Sequence, residues 1–67
     1  MAKKLKAYRI MAGYTKAYEF AEKMGISRQY LTMLETGKAT NPSRDLMIKI
    51  SEALGVSVQE LFFSEEN

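Results

Sequence analysis

The chain of 67 residues contains no cysteine, no histidine and no tryptophan, and only one proline. The missing cysteines rule out a disulfide and suit a reducing compartment. With histidine absent as well, a zinc site has lost both of its usual ligands, and the commonest general base is gone. No nucleophile–base pair, glycine-rich phosphate loop or metal-ligating cluster stands out, so the expectation is a non-enzyme without cofactor or metal. No apolar run approaches the ~20 residues of a membrane span. The basic start, MAKKLKAYRIMAG, spaces its apolar residues like a helix face, and no signal-type apolar core follows. No membrane partner is expected, and a core this small leaves no room for a small-molecule ligand.

What is present is enough for one domain. Chains of this size bury only ~60% of their unfolded surface and are marginal unless well packed or oligomeric. Hydrophobic residues make up 46% of the chain, sufficient for a core; residues 1–63 read as the domain and 64–67 as a frayed tail. The net charge is only +2, yet it is unevenly distributed. Lys3, Lys4, Lys6, Arg9 and Lys16 precede every acid, and Glu60, Glu65 and Glu66 close the chain. A basic front suits either a solvated surface or a face presented to an anion.

The stretch AYEFAEKMGISRQYLTMLET, Ala17 to Thr36, organises the rest. It reads as two short amphipathic helices joined at Gly25, where glycine accepts the left-handed conformation without steric cost. Ala21 is small where the helices must cross. Ser27 is placed to cap the second helix, and Leu31 and Leu34 lie three apart on its inward face. Small residue, glycine and paired apolar residues at this spacing form a helix-turn-helix pattern.

Around it, Leu5, Tyr8 and Ala12 mark a first helix over about 3–12, stopped by Gly13. Thr15 is the better N-cap for the second helix, which places Lys16 at its first position. Ala17, Phe20, Ala21 and Met24 form the inward stripe of that helix, and Ile26 plugs the core under the turn. The third helix runs from Arg28 to about Thr36, with Gly37 as its stop; it turns Gln29, Thr32, Met33 and Thr36 outward and holds Arg28 at its edge. An outward methionine among polar residues suits apolar contact with a thymine methyl. The loop KATNPS contains the helix-breaking Asn41-Pro42. A fourth helix, capped by Ser43, spans about Arg44 to Leu54 and stops at Gly55. Ser57-Val-Gln-Glu60 then forms a capping box that opens a last short helix through Phe62. Val58, Leu61, Phe62 and Phe63 are more large apolar groups than one turn is expected to bury, so some should face a partner. Arg9 and Glu35 each sit on an otherwise apolar stripe, where a charge is costly unless paired; they are expected to pair, joining the first helix to the third.

Leu5 with Arg9 and Gly13, then AEKMGISRQYLTMLETGK, NPS and KISEALGVSVQELF, together resemble the phage repressor and Cro family of Xre-type helix-turn-helix regulators over nearly the whole chain. The resemblance implies an all-α, five-helix, lambda-repressor-like domain with its helix-turn-helix at about 16–36. It also implies the Arg9–Glu35 pair, a bacterial or phage-encoded cytoplasmic protein, and a homodimer bound to double-stranded operator DNA with the third helix in the major groove. Two departures stand out. The family's common glutamine at the start of the second helix falls on Ala17 counting back from Ala21, but on Lys16 counting forward from Gly13. The loop KATNPS is one residue longer than the commonest form.

Arg28 and Gln29 are the expected base readers, since arginine can bind guanine O6/N7 and glutamine adenine N6/N7 through two bonds each; Thr32 and Met33 support them. Lys16, Ser27, Tyr30, Thr36, Lys38, Thr40, Asn41 and Arg44 are the phosphate candidates; for Tyr30 the alternative is ring packing on the second helix. Val58, Leu61, Phe62 and Phe63 are the expected dimer surface. The expected function is a sequence-specific transcriptional regulator, a repressor. The alternative is an antitoxin-like interaction module that grips a protein partner through the same C-terminal apolar surface.

Overall fold

A computed structural model describes residues 4–39 and 41–63. Four α-helices follow one another: α1, Leu5–Met11; α2, Ala17–Met24; α3, Arg28–Thr36; and α4, Arg44–Leu54. A five-residue π-helical turn, Gln59–Phe63, completes the order, and no strand occurs among the described residues. Lys3, Thr40 and the tail 64–67, with Glu65 and Glu66, lie outside the described residues.

Each helix presents one stripe inward. Leu5, Phe20, Leu31, Leu34, Ile50, Leu61 and Phe62 are fully buried, and Ala21, Met24, Leu46 and Leu54 complete the core. Each large apolar side chain removed from water contributes about 1.5–3 kcal/mol. Around this core, α2 packs on α3 and α4, and α1 packs on α3 and the C-terminal turn. Ala21, 1% exposed, is the small contact that lets α2 and α3 approach. The turn between them closes with the Gly25 and Ile26 amides donating to the Glu22 and Ala21 carbonyls at 3.1 and 3.0 Å. This closure needs φ +76° at Gly25, where an L side chain is strained. The α3 and α4 N-termini are capped by Ser27 and Ser43, whose Oγ atoms accept from the Tyr30 and Leu46 amides at 3.0 and 3.1 Å.

Two local expectations are corrected. Thr15 does not cap α2. The N-cap residue is Lys16, in extended conformation and with no side-chain cap bond, so Ala17 takes the first helical position. Ala17, the position counted back from Ala21, is thus the first residue of α2, and Lys16 belongs to the linker end. Two contacts hold that linker open: the Tyr14 carbonyl accepts from Arg9 Nη1 at 2.6 Å, and the Tyr14 ring lies 5.0 Å from that of Phe20.

The second correction concerns the C-terminus. Leu61 and Phe62 are each 1% exposed, so neither can form a surface. The last short helix is a π turn, with the wider i→i+5 winding, and it lays these two neighbours together into the core. Only half of the expected capping box forms, with the Glu60 amide donating to Ser57 Oγ at 3.1 Å. The Glu60 carboxylate turns away to accept from Tyr8 Oη at 2.8 Å and Lys4 Nζ at 3.1 Å. These bonds, that from Tyr8 foremost, hold its pKa below the ordinary glutamate value. They also fasten the C-terminal turn to α1.

Candidate nucleic-acid interface

The buried side of α3 determines what its other side can offer. Leu31 and Leu34 are 0% exposed, which fixes the helix in rotation and leaves Arg28, Gln29, Thr32 and Met33 in solvent. The four expected base readers therefore share one exposed surface. Met33 is 37% exposed, a large apolar side chain among polar neighbours.

At the far end of α3 an ion pair secures the helix from behind. Arg9 Nε donates to Glu35 Oε2 at 2.7 Å, with 3% and 8% of the two side chains exposed. Since Nη1 of the same guanidinium reaches the Tyr14 carbonyl, one side chain ties α1, the α1–α2 linker and α3 together. The expected pair is thus present, and its link to the linker backbone is an addition that residue spacing gave no means of finding. A second contact that the sequence did not reveal is Lys49 Nζ donating to the Met24 carbonyl at 3.3 Å. It places a cation at the C-terminal end of α2, where the helix dipole favours one.

The expected phosphate contacts divide. Lys16, Ser27, Lys38, Asn41 and Arg44 are exposed. Lys16 stands at the uncapped N-terminus of α2, where free amides and the helix dipole attract an anion. Ser27 accepts from Tyr30 through Oγ, which leaves its hydroxyl proton free to donate. Tyr30 is half-buried against the core and lines an open groove of about 500 Å³ together with Asn41 and Ser43. Thr36 is exposed as well, and its hydroxyl donates to the Thr32 carbonyl at 2.9 Å. Thr40 lies outside the described residues.

At the C-terminal turn, Phe63 is 48% exposed and Val58 half-buried. With Leu61 and Phe62 in the core, these two remain of the apolar surface expected there, whether for a second copy or for a protein partner. Among the described residues no helix is long and apolar enough to cross a membrane.

An exposed, rigidly backed second helix of a helix-turn-helix, with cations at its flanks, is the build of a DNA-binding domain. The chain belongs to the helix-turn-helix family of Cro/C1 type, whose model matches residues 5–61. Its members are DNA-binding transcriptional regulators and are not enzymes. The chain is 37% identical to an uncharacterized HTH-type transcriptional regulator of Methanocaldococcus jannaschii, over 100% of this chain and 98% of that protein. It is 39% identical to the HTH-type transcriptional regulator SinR of Bacillus subtilis, over 91% of this chain and 54% of SinR. An uncharacterized regulator of Archaeoglobus fulgidus is 32% identical over 98% of this chain and 91% of its own length. The chain thus spans nearly all of the archaeal relatives and about half of SinR, and the relatives are archaeal as well as bacterial. No solved structure matches it.

Proposed function

We propose that the protein is a sequence-specific regulator, a repressor, that binds a two-fold operator as a homodimer with α3 in the major groove. The observation that carries this reading is the outward surface of α3, where Arg28, Gln29, Thr32 and Met33 stand together in solvent on a helix whose opposite side is fully buried. Arginine and glutamine near the start of such a helix have the donors and acceptors to read guanine and adenine edges. Lys16, Ser27, Tyr30, Lys38, Asn41 and Arg44 would set register on the phosphates and supply salt-dependent affinity without sequence preference. Val58 and Phe63 are the surface through which two copies would meet, because a two-fold contact is the commonest way to hide such a patch.

The test is selection of bound duplexes from a random pool, followed by titration against the selected and a scrambled sequence. The expected result is a palindromic consensus bound at least a thousandfold more tightly than scrambled DNA. Equal binding to both would refute the reading.

A further inference from the structure

We propose that Met33 is a sensor for the C5-methyl group of one pyrimidine in each half-site, so that the protein responds to thymine and to 5-methylcytosine alike at that position. The inference rests on the DNA-binding reading above and adds to it the chemistry read at one point. Three observations carry it.

Met33 has nowhere to go inside. The α3 positions flanking it, Leu31 and Leu34, are fully buried, as are Leu5 and Phe20 of the same core, while Met33 itself stands 37% exposed. Next, the outward surface of α3 changes character along its length. Its first turn carries Arg28 and Gln29, the groups able to form paired hydrogen bonds with base edges. One turn further on come Thr32, Met33 and Thr36. The Thr36 hydroxyl proton is spent on its own helix, 2.9 Å from the Thr32 carbonyl and 3.5 Å from that of Met33. An approaching base therefore finds there, beside the Thr32 hydroxyl, the Thr36 methyl, an acceptor lone pair and a flexible, polarisable thioether. Finally, the one apolar group that a base presents in the major groove is the methyl on pyrimidine C5. Thymine carries it always and cytosine only when methylated, and in both it projects from the same ring carbon. Met33 lies four residues after Gln29, one helical turn along the same side, so the two side chains address neighbouring base pairs.

The experiment starts from the sequence selected out of the random pool, with each thymine replaced in turn by deoxyuridine, which lacks only the methyl. Wild-type protein is expected to lose about fourfold in affinity at one position per half-site, the worth of one methyl removed from water. The variant M33A should bind thymine and uracil forms alike. Alanine is the best helix former and Met33 is outside the core, so an unchanged melting temperature certifies its fold. In a second arm, cytosine and 5-methylcytosine, each opposite guanine, are compared at the same position. The methylated form should bind about fourfold more tightly to wild type and equally to M33A. A flat uracil series, or a uracil penalty that persists in M33A, overturns the proposal while leaving sequence-specific binding intact. A uracil penalty with no 5-methylcytosine gain overturns the equivalence of the two methyls. Failure to select any sequence overturns the DNA-binding reading itself.

Discussion

Replacing Glu35 by glutamine leaves shape and volume nearly unchanged and removes one charge. The Arg9 guanidinium, only 3% exposed and bonded to the lost carboxylate at 2.7 Å, would then be a buried cation held by a neutral amide and the Tyr14 carbonyl. Breaking a buried pair from one side typically costs ~3–5 kcal/mol, and the near-complete burial of both partners places this pair in that range. The whole domain, at ~0.05–0.15 kcal/mol per residue, is stable by only about 3–10 kcal/mol. E35Q should therefore remove a third or more of the total stability. For a domain of this size that corresponds to a fall of roughly 12–40 °C in melting temperature. R9M should cost a similar amount by stranding the carboxylate. The double variant R9M/E35L should recover much of the loss, because replacing both charges removes the need to desolvate either. Urea unfolding of wild type, R9M, E35L and R9M/E35L, fitted as a double-mutant cycle, measures the coupling, and E35Q is unfolded beside them. The reasoning is refuted if E35Q unfolds within ~0.5 kcal/mol of wild type, or if the double variant is as unstable as the sum of the singles.

Sedimentation should show self-association that F63D weakens, with the fold retained because Phe63 is 48% exposed; F62D should instead unfold the monomer, since Phe62 is in the core. Glu60 predicts a pH dependence. Its carboxyl is held below its ordinary value in the folded state by Tyr8 and then Lys4, so its contribution is complete above the unfolded pKa and is lost as pH falls through the folded one. Chemical unfolding from pH 7 down to pH 3 should therefore show wild type losing more stability than E60Q, and parallel curves would contradict the assignment.

The parts of the fold that could be read in advance are those punctuated by local chemistry. The approximate limits expected for α3 and α4 hold because Ser27 and Ser43 accept amide bonds at their starts and Gly37 and Gly55 take positive φ at their ends. The Arg9–Glu35 pair was legible because a charge on an apolar stripe demands a partner. The start of α2 was misread because cap preference is weak against tertiary contacts; the Tyr14 carbonyl bond to Arg9 and the Tyr14 ring on Phe20 keep the chain extended through Lys16. The C-terminal turn was misread because one turn was expected to bury fewer apolar groups, whereas the π turn places both Leu61 and Phe62 inside. Glu60 belonged in sequence to a capping box, and only folding brings Lys4 and Tyr8, more than fifty positions away, against its carboxylate. At the site, the outward surface of α3 followed directly from helical spacing. The bond from the Thr36 hydroxyl to the Thr32 carbonyl depends on a rotamer that no spacing reveals.

The claim that the exposed surface of α3 reads bases while the flanking cations hold the backbone is tested most directly by one titration. Wild type, R28A, Q29A and K38A are measured against the selected operator and scrambled DNA at several salt concentrations. R28A and Q29A should each lose ~1–3 kcal/mol on the operator and little on scrambled DNA, relaxing preference at particular base pairs. K38A should weaken both alike and lower the salt slope by about one unit. The account is contradicted if R28A and Q29A leave the operator-to-scrambled ratio unchanged, or if K38A collapses that ratio while the salt slope stays as in wild type.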